Sequence, residues 1–252
     1  MQEWRISYVN RREVPVLISD EKEALLAAKA AGRAIIGLWR PGQAMEEISA
    51  AQYVVEQIED LTDEYLERVA RRHLGLPWRI CESDRMIIRE LFEDDFDEVW
   101  ENKIGLGFET VEALQSYTKH HYSFYEFGFW GLVEKESGEL IGVAGLKVPE
   151  FEASRENEER EDILTISVAE SQEAESMPAE ISGTEPNDEM LELGYHIFYR
   201  FRRKGYASEA CRAILKYGAE ELGITGFLVR IDKENKISRH LAEGLGFRAG
   251  KR

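Results

Sequence analysis

The hydrophobic pattern changes its period around residue 200. Apolar positions dominate the short segment Leu191–Phe198, which has the length of a strand. From Ala207 to Leu222 they recur at steps of three and four residues, which places them on one face of a helix. A basic turn that contains Gly205 separates the two segments. The pattern therefore predicts a strand, a short turn and a helix in immediate succession.

The N-terminal part of the chain shows a second, separate arrangement of short apolar runs and helical patterns. Strand, helix and strand at this spacing predict a small parallel βαβ module. The predicted elements are strands at 14–19, 34–39 and 53–55, a helix at 21–31 closed by Gly32, and a helix from the cap Thr62 to about His73. We therefore predict an α/β (α+β) protein of two domains, residues 1–80 and residues 85–252.

The second domain opens with a strand-like run at 85–91, and two further runs, 129–133 and 140–146, form a predicted hairpin. Residues 150–189 interrupt the domain with 14 acidic residues against two arginines, so this insert carries −12 of the net charge of −17. Its composition is typical of a solvated, mobile loop. A lid or a polycation-binding arm is the functional alternative.

The exception within the insert is the β-branched run Ile163–Val168, which favours a strand. The chain stops shortly after Phe247, about where a closing strand should begin, so we predict that this run pairs with an open sheet edge. The run follows the third strand of the domain. Within one chain, it should therefore pair more easily with the sheet edge on the side of that strand. Covering the far edge would more easily involve a second chain, which makes a homodimer one of the expected assemblies.

The composition sets limits on compartment and partners. No apolar stretch approaches the roughly 20 residues of a membrane span and no signal peptide opens the chain, so we expect no membrane partner. Cys81 and Cys211 match no metal or redox spacing, and the adjacent His120 and His121 are poorly arranged to share a metal. We therefore expect a reducing cytoplasm and no metal site. The acidic balance argues against a nucleic-acid partner.

The turn between the predicted strand and helix reverses the local sign of charge. Its cations are Arg200, Arg202, Arg203 and Lys204, next to Gly205. A helix N-terminus leaves backbone N–H groups without partners, and its dipole favours negative charge. Glycine also lets a phosphate approach the backbone closely. The turn is therefore predicted to bind a ligand that carries phosphate.

The spacing Arg202-x-x-Gly205-x-Ala207 resembles the phosphate-binding signature of the GNAT acetyltransferases. The wider run 192–210 resembles the branch that contains the ribosomal-protein N-acetyltransferases, and a second match to the family follows at 235–247. The resemblance implies the GNAT fold, a mixed sheet with flanking helices, for the second domain. It also implies acetyl-CoA as co-substrate.

The resemblance implies a binding site for acetyl-CoA along the strand and the turn. A backbone N–H of the strand would bind the thioester carbonyl, where negative charge develops during transfer. N–H groups and cations of the turn would hold the pyrophosphate. Two polar residues farther on would contact the pantetheine or phosphates, although both residue types are also ordinary helix caps. The implied cofactor-binding residues are Tyr195, His196, Ile197, Arg202, Arg203, Lys204, Gly205, Tyr206, Ala207, Asn235 and Ser238.

Transfer to an amine also needs a proton acceptor, because amines are mostly protonated at neutral pH. Glu192 lies where many family members place this base; the alternative is a glutamate that orients the strand or forms an ion pair. Many relatives protonate the leaving thiolate with a tyrosine, at the position that Ala242 occupies here. Tyr199 or a water is then left for this role, or the thiolate leaves unassisted. Relatives also continue through two closing strands, so the short C-terminus predicts an exposed sheet edge.

The stretch from Leu17 to Gly37 resembles the last third of a haloacid-dehalogenase-like phosphatase core, in which Asp20 would help to hold Mg²⁺. No Asp-x-Asp nucleophile strand precedes it. We therefore interpret the module as non-catalytic and Asp20 as a cap or turn residue.

These patterns together predict an acetyl-CoA-dependent N-acetyltransferase that acts on a primary amine. The candidate acceptors are a protein N-terminus, a polyamine and a small amine. The alternative is a non-catalytic acyl-CoA-binding or scaffolding protein, which the alanine at Ala242 and the short C-terminus favour.

Overall fold

The computed structural model of the chain describes residues 1–102, 104, 107–149, 160–167 and 190–249. Contacts divide it into two compact units. Unit 1 comprises Met1–Trp78, Phe92–Asp94 and Phe108–Glu126, and unit 2 comprises Arg79–Leu91, Asp95–Gly107 and Phe127–Arg252. A helical stretch from the middle of the chain thus joins the N-terminal module by its contacts. The domain boundary near residue 80 stays a prediction.

The elements of unit 1 are β1 (Gln2–Val9), β2 (Arg12–Ser19), α1 (Lys22–Ala30), β3 (Ala34–Leu38), β4 (Val54–Val55), α2 (Asp63–His73) and α4 (Val111–Tyr125). The strands form a sheet in the order β1-β2-β3-β4. β1 and β2 pair antiparallel, whereas β2, β3 and β4 run parallel with α1 between β2 and β3. The predicted βαβ module is confirmed, and β1 is an additional strand.

One of the two apolar clusters of unit 1 lies between its sheet and α2. Val16, Ile18 and Ile36 are fully buried and belong to one apolar cluster with Leu66 and Val69 of α2. The predicted cap of α2 is confirmed, because the Tyr65 N–H donates to Thr62 Oγ1 at 3.1 Å. This bond satisfies one of the N–H groups that a first helical turn leaves without a partner.

The elements of unit 2 are β5 (Arg79–Glu82), β6 (Met86–Glu90), α3 (Phe96–Glu101), β7 (Phe129–Glu134), β8 (Leu140–Lys147), β9 (Glu161–Ser167), β10 (Leu191–Ile197), α5 (Tyr206–Glu220), β11 (Gly226–Asp232), α6 (Lys236–Gly244) and β12 (Arg248–Ala249). The strands form one sheet in the order β12-β9-β11-β10-β8-β7-β6-β5. β10 and β11 pair parallel, and the other described pairs are antiparallel. This is the predicted mixed sheet with flanking helices. The predicted face of α5 is buried, with Ala210, Cys211 and Ile214 fully covered.

The strand predicted within the acidic insert is present as β9, but it lies at the far side of the sheet. β9 pairs antiparallel with β11 over its whole length, and β12 adds two residues beyond it. The expectation that the run pairs more easily on the side of the third strand is wrong, because that strand, β8, already has β7 and β10 as neighbours. The far edge of β11 is therefore covered by the chain itself. The remainder of the predicted insert, 150–159 and 168–189, lies outside the described residues.

Candidate functional site

A gap opens in the sheet of unit 2 between the two parallel strands. β10 pairs with β11 only through Leu191↔Phe227 and Glu192↔Leu228. Beyond this point β10 stays paired with β8 as far as Ile197, while β11 stays paired with β9. The two strands therefore diverge toward the end of β10 that leads into the basic turn.

The direction of the backbone amides along the gap follows from one hydrogen bond. The Phe198 N–H donates to the Ile141 carbonyl at 2.9 Å, so the backbone N–H of Phe198 points toward β8. In an antiparallel pair the facing direction alternates from residue to residue. The N–H groups of Tyr195 and Ile197 therefore point into the gap, whereas that of His196 points toward β8. Two of the three strand residues predicted to bind the thioester present their amides there.

The basic turn is shaped by two residues with left-handed backbone. Arg203 has φ 63° and Gly205 has φ 86°, and Gly205 is the N-cap of α5. The first α-helical bond runs from the Glu209 N–H to the Gly205 carbonyl at 3.2 Å. The amides of Tyr206, Ala207 and Ser208 precede it, so they have no acceptor within the helix. Together with the dipole of a 15-residue helix, they form a site suited to an anion.

The cations of the turn take different positions. Arg202 Nε donates to the Ile197 carbonyl at 2.8 Å, which places its guanidinium at the open end of the gap. The Lys204 ammonium lies 5.2 Å from the ring centre of Phe201. Arg203 is exposed and has no ion pair with any residue that the structure describes. At Arg203 the turn therefore keeps positive charge that no described carboxylate neutralises.

Arg85 supports the turn through contacts with Lys204 and Glu209, and sequence reasoning missed this role. Its Nη1 donates to the Lys204 carbonyl at 2.9 Å, and its Nη2 lies 2.6 Å from a Glu209 oxygen. Glu209 also accepts the backbone N–H of Arg85 at 2.9 Å. Burial raises the pKa of Glu209, but bonds from Ser83 and Arg85 outweigh burial and leave this pKa lowered. Arg85, held by Glu209, thus fixes the Lys204 carbonyl within the turn.

Glu192 lies at the closed end of the gap, where β10 and β11 are still paired. It is 7% exposed, and its carboxylate contacts Arg230 Nε at 3.1 Å and Lys147 Nζ at 3.3 Å. Side chains alternate along a strand, so Glu192 shares a face with His196 and lies opposite Tyr195. In this structure Glu192 therefore forms ion pairs, which was the alternative to a general base that the sequence left open.

Two further side chains of β10 have pKa values shifted by their surroundings. Burial lowers the pKa of His196, and the nearby Arg202 guanidinium lowers it further, so the neutral imidazole is favoured. Burial raises the pKa of the Tyr195 hydroxyl by more than its hydrogen bond with Ser238 lowers it. This hydroxyl donates to Ser238 Oγ at 2.9 Å.

The remaining predicted residues lie around the ends of the gap. Asn235 acts as the N-cap of α6, because its Oδ1 accepts the Ser238 N–H at 3.1 Å. The Tyr206 hydroxyl donates to Glu134, so Tyr206 can serve the turn through its backbone. Tyr199 follows the end of β10 in a short 3-10 helix and is 83% exposed.

The described residues show no other obvious chemical centre. Burial raises the pKa of both cysteine thiols, Cys81 and Cys211, to about 12, so neither is a ready nucleophile. Within the described ranges, no group of three histidine, cysteine or carboxylate side chains is placed to share a metal ion. Among those same residues, no helix combines the length and apolar character that crossing a bilayer requires.

The described residues thus form a gap between diverging parallel strands that ends at a glycine-capped basic turn. A family model described as "Acetyltransferase (GNAT) domain" matches residues 85–248. This match covers more than half of the chain. The chain belongs to the GNAT family of acetyltransferases.

Several known proteins are similar to this chain. The uncharacterized N-acetyltransferase YoaA of Bacillus subtilis is 23% identical over 180 residues, which cover 67% of this chain and 82% of YoaA. A GNAT-family acetyltransferase from Bacillus anthracis is 18% identical with a TM-score of 0.42, covering 67% of this chain and 82% of that one. A ribosomal-protein alanine acetyltransferase from Vibrio fischeri is 11% identical with a TM-score of 0.45, covering 69% and 83%.

Proposed function

We propose that this protein is an acetyl-CoA-dependent N-acetyltransferase that acts on a primary amine in the cytoplasm. The observation that carries the proposal is the continuity of the gap with the basic turn. Amides of Tyr195 and Ile197 point into the gap, and the gap leads to the uncapped amides at the start of α5. An elongated ligand with a polar chain and a pyrophosphate matches this sequence of groups.

The residues present fit acetyl-CoA. The first-turn amides of α5 and the cations Arg202, Arg203 and Lys204 would hold the pyrophosphate, with Gly205 allowing close approach. The amides in the gap would bind carbonyl groups and stabilise negative charge that develops on the thioester oxygen. When bound, the co-substrate supplies an acetyl group activated as a thioester.

Direct transfer to the amine is favoured over a covalent acyl-enzyme. Both cysteines have thiols with pKa values of about 12, so a thiolate nucleophile is not available at neutral pH. Glu192 is our candidate for taking the proton of the ammonium group, directly or through water. Its contacts with Lys147 and Arg230 hold the carboxylate at a fixed place in the sheet.

The acceptor belongs to one of three classes: a protein N-terminus, a polyamine or a small amine. The resemblance of residues 192–210 to the ribosomal-protein branch supports a protein N-terminus. The net charge of −17 supports a cationic amine, because a negative surface raises the local concentration of cations. A homodimer stays a prediction, and coverage of the far sheet edge by β9 removes the reason first given for it.

We propose no phosphatase activity for the N-terminal module. Asp20, the residue that the phosphatase resemblance singled out, contacts the Met1 ammonium and Arg40 Nε, the latter at 3.3 Å. Hydrogen bonds from these cations outweigh burial and leave the pKa of Asp20 lowered. Its charge is thus balanced by protein groups.

The test compares two glycines that flank the same helix. Gly205 has φ 86° before α5 and Gly223 has φ 68° after it, so alanine at either position strains the backbone similarly. We expect Gly205→Ala to weaken acetyl-CoA binding at least about tenfold by calorimetry, because a Cβ hinders phosphate approach. Gly223→Ala should bind like the unmodified protein. Equal affinities for all three proteins would contradict the placement of the pyrophosphate.

A measurement of turnover distinguishes an N-acetyltransferase from a non-catalytic acyl-CoA-binding protein. Release of free thiol from acetyl-CoA is measured with a panel of N-terminal peptides, polyamines and small amines. We expect acceptor-dependent release with at least one class. Binding of acetyl-CoA without release across the panel would favour the alternative of an acyl-CoA-binding or scaffolding protein.

A further inference from the structure

The side chain of Tyr195 spans from β10 to α6, at the gap between the strands. Its hydroxyl donates to Ser238 Oγ at 2.9 Å, and the ring is half-buried. The amide of the same residue points into the gap. The phenol is therefore held against α6 by a specific hydrogen bond at the strand that borders the site proposed for acetyl-CoA.

Helix geometry explains why this position matters. Ser238 and Ala242 are four residues apart on α6, so they lie on one face, one above the other. Side chains on a helix lean toward its N-terminus, so a long side chain at 242 would cover the turn that contains Ser238. Tyr195 brings a phenol hydroxyl to this same turn from the strand. Ala242 itself is buried and offers no proton.

We propose that Tyr195 is the residue that protonates the departing sulfur of acetyl-CoA. This assignment rests on the proposed function. The amine lone pair forms the new C–N bond, the C–S bond breaks with its electron pair on sulfur, and the Tyr195 O–H gives that sulfur its proton. The phenolate then recovers a proton from solvent. The surplus proton of the amine leaves through the general base or through water.

Ser238 is the positioning residue in this arrangement. Its backbone is fixed by the Asn235 cap, and its hydroxyl accepts the phenol hydrogen in the resting protein. Because a serine hydroxyl can rotate and donate, Ser238 can also stabilise the phenolate left after proton transfer. The pair therefore holds the phenol in place before transfer and supports it afterwards.

Other groups on the strand and turn are less suited to this role. Tyr199 lies beyond the end of β10 and is 83% exposed, and no described residue is hydrogen-bonded to its hydroxyl. His196 is on the opposite face of β10 and favours the neutral imidazole. The raised pKa of Tyr195 keeps its phenol protonated at neutral pH, as a proton donor requires.

The test uses Tyr195→Phe, which removes the hydroxyl and keeps the ring. We expect kcat with acetyl-CoA and an amine to fall roughly 100-fold, while the Kd for acetyl-CoA changes less than about threefold. With an acetyl thioester of a strongly acidic aryl thiol, the loss should shrink to a few fold, because that leaving group needs no proton. Ser238→Ala should lose about tenfold in kcat, and Tyr8→Phe, an exposed tyrosine of unit 1, should lose nothing.

A binding measurement gives a readout without turnover. Free CoA at alkaline pH is partly thiolate, and the Tyr195 hydroxyl would donate to that sulfur. We expect Tyr195→Phe to weaken CoA binding about fivefold more than it weakens acetyl-CoA binding.

Four outcomes would overturn the assignment. An undiminished kcat in Tyr195→Phe, or an equal loss with both thioesters, would exclude Tyr195 as the donor to sulfur. Equal weakening of CoA and acetyl-CoA binding would assign the hydroxyl to general packing. If the unmodified protein bound no acetyl-CoA, the proposed function would fail first and this assignment would fail with it.

Discussion

The two ends of β10 differ in how they use charge. At Glu192 the strand is paired on both sides, and the carboxylate and Arg230 are mostly buried, with side chains 9% and 14% exposed. At the other end the strand has left β11, and the exposed turn holds Arg203 without an ion pair to a described residue. Buried charges are neutralised within the protein, whereas exposed charges are available to a ligand.

This difference separates the groups that give affinity for a phosphate from the groups that need a fixed geometry for proton transfer. Phosphate binding needs donors and cations that remain open until the ligand arrives. A group that moves a proton must keep its position relative to the reacting atoms to within about an ångström. The open end of the gap meets the first requirement and the closed end meets the second. Changes at the two ends should therefore affect binding and turnover differently.

The largest expected effect comes from the closed end. Glu192→Gln removes the charge that pairs with Lys147 and Arg230. We expect turnover to fall roughly 100-fold and the free energy of unfolding to fall by about 3 kcal/mol, because the mostly buried Arg230 loses its ion pair with Glu192. Acetyl-CoA binding should change little. Thiol release, urea unfolding and calorimetry measure the three quantities.

The control for this variant is Glu139→Gln, which breaks an exposed pair with Arg200. Pairs of this kind contribute less than about 1 kcal/mol, so stability should hardly change. If Glu192→Gln turned over at the normal rate, Glu192 would be a structural residue only. If its turnover recovered fully at high acetyl-CoA concentration, the comparison of the two ends would be wrong.

A smaller effect is expected beneath the open end. Arg85→Gln removes the donor to the Lys204 carbonyl and the cation paired with Glu209. We expect acetyl-CoA binding to weaken about tenfold, because the turn loses its fixed conformation, while kcat at saturating acetyl-CoA stays near normal. Arg79→Gln, which breaks an exposed pair with Glu82, is the matched control. A loss in kcat without a loss in binding would show that Arg85 acts on the closed end instead.

Most local features of this site can be predicted from sequence because they depend on short segments. The period change near residue 200, the need for glycine at a left-handed position and the capping role open to Asn235 all follow from neighbours along the chain. The same holds for α2, whose cap Thr62 was identified from its residue type and position.

The contacts that complete the site join distant segments, so sequence patterns do not show them. Arg85 reaches the Lys204 carbonyl from 119 positions away, and Glu192 meets Lys147 and Arg230 only because three strands adopt a particular register. β1 was missed for a different reason. Trp4, Ile6 and Tyr8 alternate with polar residues, which is a strand pattern, but all three are more than half exposed, so they do not form the buried face of the strand.

The smallest expected effect concerns the pH dependence of the ion pair under the turn. The folded-state pKa of Glu209 is lowered, so its ionised form stabilises the protein above the pKa of the unfolded state, near 4.5. That stability is lost as the pH falls through the lower, folded-state pKa. We expect Glu209→Gln to melt about 2–4 °C below the unmodified protein at pH 7. The difference should shrink below about pH 4.5 and disappear once the carboxyl is protonated. Glu220→Gln, which breaks an exposed pair with Lys216 at the other end of α5, should shift the Tm by less than about 1 °C. A constant difference across the acid range would mean that Glu209 supports the turn by shape, and the open end would then owe its geometry to packing instead of the ion pair with Arg85.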